Sequence, residues 1–177
     1  MSSPFQPEPE SGQPSYPDSV RRVVAALRAL QHAEAPVLLD AAARTAQQAA
    51  DALGVQLGQI AKSIVFRHVD SGRAVLVVCA GDRRVDEALV AGQVGALARA
   101  DADFVRAQTG FAIGGVSPVG HAYPPIALVD DSLWRFDRIW AAAGHPHAVF
   151  PLQPADLARW LDVPPSAVSA APAAQAR

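Results

Sequence analysis

The sequence predicts an α+β fold: a single domain with a mixed, curled β-sheet flanked by helices. Some stretches repeat apolar residues at helical spacing, while others are short apolar runs of strand length bounded by glycine, proline or aspartate. The two kinds of segment follow one another without a regular βαβ alternation, which argues against a doubly wound parallel sheet. Half of the 177 residues are hydrophobic, enough for a sizeable core in a chain whose length suits one domain.

The elements can be justified in order. Residues 1–17 hold five prolines among Ser, Gln and Glu, too little apolar surface to offset chain entropy, so a disordered tail is expected. Residues 164–177, rich in Ala and Pro, read the same way, leaving 18–163 as the folded unit. Asp18 is placed to N-cap a helix over Ser19–Gln31, with Val20, Val23, Val24, Leu27 and Leu30 on one face. Pro36–Leu39 is a short strand. Thr45-Ala-Gln-Gln48 is a capping box opening a helix that stops at Gly54. A turn from Gln59 runs into a strand over Ala61–Arg67, Asp70-Ser-Gly72 forms a hairpin turn, and Ala74–Ala80 returns. Helices are expected over Asp86–Arg99 and near Asp103–Gln108, then a loop at Gly114–Pro118. Ile126–Val129 is a strand, Asp131–Phe136 a short helix or turn, and Ile139–Ala142 a strand. Gly144-His-Pro-His147 is a turn, Ala148–Leu152 a strand, and Pro154–Leu161 the closing helix.

Composition narrows the function classes. A net charge of −2 with 18% charged residues gives no global basic field, so any nucleic-acid contact must come from a local patch. The single cysteine, Cys79, excludes an internal disulfide and sits in the apolar run Ala74–Ala80 as a small buried thiol. No apolar run is long enough for a membrane span, and the N-terminus lacks the basic start and apolar core of a secretory signal. A cytoplasmic protein is expected.

Three segments and one residue could carry chemistry. Gly110–His121 has four glycines within eleven positions, which lets a backbone approach a ligand or simply make a tight bend. It has neither the P-loop Lys-Ser/Thr nor the dinucleotide spacing. Gly144-His-Pro-His147 offers two histidines, but no cluster elsewhere completes a metal set without forcing in His68, His121 and Asp130; no metal and no cofactor is expected. Gly81-Asp-Arg-Arg-Val-Asp86 places Arg83 and Arg84 where they could hold phosphates or pair with Asp82 and Asp86. Ser117 has no triad setting, His121 being only four residues away. Finally, Lys62 is the one lysine against fourteen arginines. An ammonium touches a single oxygen as a point charge where a guanidinium is a wide fork, so the exception marks a place for chemistry; a chance survivor on a solvated face accounts for the count equally well.

Together these segments resemble the YbaK and prolyl-tRNA-synthetase-associated editing-domain superfamily. The resemblance runs from Thr45 to Leu161. It rests on Thr45–Ala50, Leu53-Gly54, Gln59–Phe66, Gly81–Asp86, Thr109-Gly110, Ile113–His121, Gly144–His147 and Leu152–Leu157 in this order and spacing. It implies an aminoacyl-tRNA deacylase, and the absence of room for a synthetase body implies the free-standing, trans-acting kind. The expected substrate is a mischarged tRNA, most readily tRNA for proline carrying alanine, serine, threonine or cysteine, held by its 3′ aminoacyl-adenosine end. Prolyl-tRNA synthetase is a further partner that the resemblance allows.

By the same resemblance, Lys62 binds the phosphate of the terminal adenosine. The loop Gly114-Gly115-Val116-Ser117-Pro118 orients the ribose and ester through its backbone. His147, with His145 the close competitor, falls at the family's pocket histidine; His121, Arg83 and Arg84 are further substrate-binding candidates. Positioning, an oriented water and a backbone donor suffice for an activated ester. A nucleotide-end binding module without turnover, or a subunit docking on a synthetase through its tails, remain as alternatives.

Overall fold

The computed structural model describes residues 15–170. Most of the expected N-terminal tail, residues 1–14, and half of the expected C-terminal one, residues 171–177, lie outside the described residues. Five helices surround a mixed sheet, in the order α1 (Asp18–Ala29), β1 (Val37–Leu38), α2 (Ala46–Leu53), β2 (Ile60–His68), β3 (Ala74–Ala80), β4 (Arg84–Val85), α3 (Glu87–Val94), β5 (Leu97–Arg99), α4 (Ala102–Thr109), β6 (Ile126–Asp130), β7 (Ile139–His145), β8 (Ala148–Leu152), α5 (Pro154–Leu161), β9 (Pro165–Ser166) and β10 (Ser169–Ala170). The main sheet runs β1-β8-β7-β2-β3-β6-β9, with β5 added on β2, while β10 pairs with β4 in a separate ribbon.

β3 is the axis of the fold. It pairs antiparallel with β2 and parallel with β6, and all seven of its residues are buried. Alternate side chains enter different layers. Leu76, Val78 and Ala80 join Val20, Val23 and Leu27 of α1 and Leu157 of α5, whereas Val75 and Val77 pack with Val90 of α3 and Val168. Burial on both faces is why this stretch reads as an unbroken apolar run. On β2, Ile60 packs with Ala49 and Ala50 of α2. Lys62 follows at the period-2 spacing that keeps it on the α2 side of the sheet.

Four expectations need correction. The N-cap of α1 is Pro17, whose carbonyl accepts the Arg21 amide at 2.9 Å; Asp18 lies in the first turn. The long helix expected over Asp86–Arg99 stops at Val94 because Gly95 takes φ +103°, and Leu97–Arg99 instead adds a strand against Phe66–His68. β7 extends beyond Ala142 to His145 through an irregularity in register, so the expected turn over 144–147 begins inside the strand.

The fourth concerns the segment after Val163. Pro165–Ser166 pairs with Val129–Asp130, Ser169–Ala170 pairs with Arg84–Val85, and Val168 is fully buried. One apolar residue and a set of main-chain bonds order a stretch whose composition resembles a tail. At the other end, the Tyr16 hydroxyl donates to the Pro36 carbonyl at 2.8 Å, so the last residues of the expected N-terminal tail are tied down as well.

Candidate active site

A cleft of about 280 Å3 opens between the start of α2, the first half of β2, the loop 113–116 and the β7–β8 hairpin. Its walls are mostly small and apolar: Ala46, Ala49, Ala61, Ala141, Ala142 and Ala148 contribute, with Trp140 among the larger residues. Lys62 supplies the cation on one side. Its ammonium donates to the main-chain carbonyl of Arg83, which leaves two of its three N–H donors for another acceptor.

Local sequence fixes each wall. At α2 the Thr45 hydroxyl accepts the Gln48 amide at 3.2 Å, while the Gln48 side chain accepts the amides of Thr45 at 3.2 Å and Arg44 at 2.9 Å. The box expected there is present, and it sets Arg44 at the exposed mouth of the cleft. In the glycine loop, Gly114 takes φ +91°, a conformation that disfavours other residues. Gly115 is required for contact: a Cβ there would lie 2.9 Å from the Cα of His145. Its amide donates to the Ala112 carbonyl at 3.0 Å, whereas the amides of Gly114 and Val116, both cleft-wall residues, have no main-chain acceptor among the described residues. Ile113, 61% exposed, forms an apolar lip beside them.

The hairpin sorts the two histidines. His145 lines the cleft. Its Nδ1 accepts the His147 amide at 3.2 Å, which in the neutral ring puts the proton on Nε2. His147 is turned to β1: its ring Nδ1 lies 3.1 Å from the Leu39 carbonyl, and its own carbonyl accepts the Leu39 amide at 2.7 Å. The competitor in the sequence reading, His145, is thus the one on the cleft wall.

Other expected residues stand away from the cleft wall. Ser117 is fully buried, its hydroxyl accepting the Val119 amide at 3.2 Å. Pro118 and His121 line a separate surface groove. His121 packs edge-on to Phe111, 5.6 Å between centroids, with Nε2 bound to the Ser117 carbonyl. Burial holds its pKa below the ordinary imidazole value, against the pull of that carbonyl.

Arg83 meets Lys62 through its carbonyl, not its guanidinium, and Arg84 is exposed on β4. Neither forms the expected pair with Asp82 or Asp86. Asp82 takes a two-point ion pair from Arg135 at 2.6 and 2.9 Å, which holds its carboxyl below the usual range, and Asp86 caps α3. Asp130, which a metal site would have had to recruit, accepts protein hydrogen bonds on both oxygens. Among the described residues, no three His, Cys, Asp or Glu side chains are grouped to hold a metal ion.

Sequence reasoning missed Arg44, Ile113 and Trp140. The signal for Arg44 was its place directly before the capping box. Trp140 and Ile113 carried none, since an apolar residue in a strand or loop looks like core until the cleft is seen.

The profile of the aminoacyl-tRNA editing domain matches residues 40–160, which span every wall of this cleft. The chain belongs to that family. This editing domain is 37% identical over 126 residues to the uncharacterized protein YwhH of Bacillus subtilis (strain 168), covering 67% of this chain and 80% of the relative. It also resembles the crystal structure of a candidate trans-editing enzyme for prolyl tRNA synthetase. There the TM-score is 0.82 and the identity 39%, over 88% of this chain and 99% of the other. A third similar structure is the hypothetical protein APE2540, with a TM-score of 0.74 and 27% identity over 84% and 99% of the two chains. The α+β architecture expected from the sequence is the one these structures share. No helix among the described residues is long and apolar enough to cross a membrane.

Proposed function

We propose that this editing domain hydrolyses the aminoacyl ester of a mischarged tRNA in trans, with tRNA for proline carrying a small wrong amino acid as its substrate. The observation that carries the reading is the convergence of Lys62, the Gly114–Val116 backbone and His145 on one small-walled cleft. The Lys62 ammonium, already oriented by the Arg83 carbonyl, contacts a phosphate oxygen of the terminal adenosine. The open side of Gly114, where a Cβ would meet no protein atom within 4 Å, receives the ribose and ester. A Gly114 or Val116 amide donates to the oxyanion that develops as water adds to the carbonyl carbon. The ester C–O bond then breaks, the ribose oxygen takes a proton from the added water to become a hydroxyl, and the free amino acid leaves.

The alanine-rich wall supports a small side chain in the substrate. Apolar pockets separate neighbours by single methylenes only weakly, which is where a second, smaller sieve adds selectivity. The setting is the cytoplasm, where prolyl-tRNA synthetase makes the substrate and is a natural partner.

The test is a deacylation panel: purified protein against tRNA for proline charged with alanine, serine, threonine, cysteine or proline. Release of at least one small amino acid with prolyl-tRNA intact is the expected result. Binding of the acylated end without release of any amino acid overturns the enzymatic reading in favour of a binding module.

A further inference from the structure

We infer that Asp130, outside the cleft, is a positioning residue for Lys62, and that the segment 165–170 acts as the strap through which it works. Lys62 is oriented by one acceptor, the carbonyl of Arg83. That carbonyl belongs to a tight turn in which the Arg83 amide returns to the Ala80 carbonyl at 3.0 Å. The turn is gripped from two sides. On one, Arg135 holds the Asp82 carboxylate through two hydrogen bonds. On the other, β4 pairs with β10, and the Asp86 amide donates to the Val168 carbonyl at 2.9 Å.

Both grips lead back to Asp130. Its carboxylate is fully buried at the end of β6. One oxygen accepts the Val168 amide at 3.1 Å; the other accepts the Ser169 hydroxyl at 2.7 Å, fixing the strap that pairs with β4. The same second oxygen accepts the amide and the hydroxyl of Ser132, starting the short 3-10 turn Asp131–Arg135 from which Arg135 reaches Asp82. Among the described residues no Lys or Arg side chain hydrogen-bonds this buried carboxylate; its donors are neutral. Its burial is compensated by those four hydrogen bonds, and they coincide with the two holds on the Arg83 turn. An asparagine keeps the shape but, whichever way it is turned, sets its N–H2 against an amide donor, that of Val168 or that of Ser132, so it loosens at least one hold.

This inference rests on the proposed role of Lys62, but its geometry can be tested without activity. Because Lys62 is the only lysine in the chain, lysine labelled with 13C and 15N gives one side-chain signal. The full chain is compared as wild type, Asp130→Asn and Ser169→Ala, with folding checked by the backbone amide spectrum. The expected result is a shift of the Lys62 Nζ and Cε signals toward free-lysine values in both variants, larger for Asp130→Asn, with faster exchange of the Nζ protons. If Asp130→Asn does not fold, Ser169→Ala alone decides. A Lys62 signal unchanged in a folded variant overturns the inference.

Deacylation adds a second readout: kcat/KM should fall about tenfold in Asp130→Asn per folded molecule, the scale of one well-placed hydrogen bond. The same change should add nothing in a Lys62→Ala background, as coupled residues require. Full additivity of the two changes also overturns it. Wild type that fails to deacylate any substrate, while the Lys62 signal still responds to Asp130→Asn, refutes the proposed function and leaves the positioning intact.

Discussion

The Lys62 ammonium donates a hydrogen bond to the Arg83 main-chain carbonyl across the mouth of the β2–β3 pair. A carbonyl is an acceptor that any residue at position 83 can supply, so the side chain of Arg83 is not what the lysine needs. The contact holds a compact cation at a fixed angle, with donors to spare, at the rim of a cleft. Lys62→Ala should therefore cut deacylation to a small residual rate while leaving the fold intact, costing about 2–5 kcal/mol of transition-state binding as a partly desolvated phosphate contact is lost. Lys62→Arg should also be impaired, because the planar fork cannot keep the Arg83 contact and a single-oxygen contact together. Steady-state kinetics on the best mischarged tRNA, beside a thermal melt, checks both; full activity of the arginine variant would sink the geometric part.

The two loop glycines should fail in different ways. At Gly115 a Cβ meets the His145 backbone at 2.9 to 3.1 Å, so Gly115→Ala must move the loop off the hairpin. At Gly114 nothing of the protein is near, but φ is +91°. Gly114→Ala should cost about 1–2 kcal/mol of stability from backbone strain, and Gly114→Val should in addition block the space proposed for the ester. Urea melts with kinetics on the same samples separate the two. Equal losses of activity per unit of lost stability at both positions would contradict this division.

His145→Ala should change which amino acid is accepted more than it changes the rate with the best one, since His145 lines the cleft. His147→Ala should act on stability instead, by about 1 kcal/mol, since its ring bonds the Leu39 carbonyl and ties down β1. A substrate panel and a melt for each variant check the pair, and exchanged phenotypes would return the pocket role to His147.

The sequence made legible whatever has a local signature. The capping box at Thr45, the Asp70-Ser-Gly72 turn and the doubly buried β3 each stand where their residues put them. Lys62 announced itself by its isolation in composition. What stayed hidden depends on main-chain acceptors and distant partners. Nothing in Arg83 says that its carbonyl orients a lysine, and nothing in Ser169 says that its hydroxyl meets Asp130. His145 and His147 are two apart, a spacing that strand alternation puts on one face; only the end of β7 at His145 and the irregularity just before it give them different surroundings. Asp86–Arg99 read as one helix because Gly95 is tolerable in a helix by residue type; only its positive φ and the open edge of β2 end the helix and start β5.

Cys79 offers a direct measure of how tightly β3 is enclosed. Burial pushes its thiol up to about 12, with the Lys62 charge pulling the other way. At pH 8 only about one molecule in ten thousand carries the reactive thiolate, and none of the sulfur is exposed. A thiol reagent should leave the native protein unlabelled over hours and react fully in denaturant, and Cys79→Ala should retain most deacylation activity. Rapid labelling of the native protein, or an acyl adduct trapped on this sulfur, would contradict the enclosure of the strand and the non-covalent route together.

His121 should give the fold a pH dependence on its acid side. Burial is the main cause of its lowered pKa, the Arg22 charge adds to it, and the bond to the Ser117 carbonyl opposes both. In the unfolded chain the ring returns to the ordinary value of 6.5. Between 6.5 and its lower native value the unfolded chain binds a proton that the folded one does not. Stability attributed to His121 is therefore full above 6.5 and declines as pH falls toward the native pKa. His121→Gln removes the titration while keeping a side-chain donor for Ser117. Denaturant midpoints of both proteins, measured from about pH 7.5 down to about pH 5, should diverge at the neutral end and draw together as pH falls, because every other titrating group is common to the two. Parallel curves across that range would show that the imidazole is protonated as easily inside the fold as outside it.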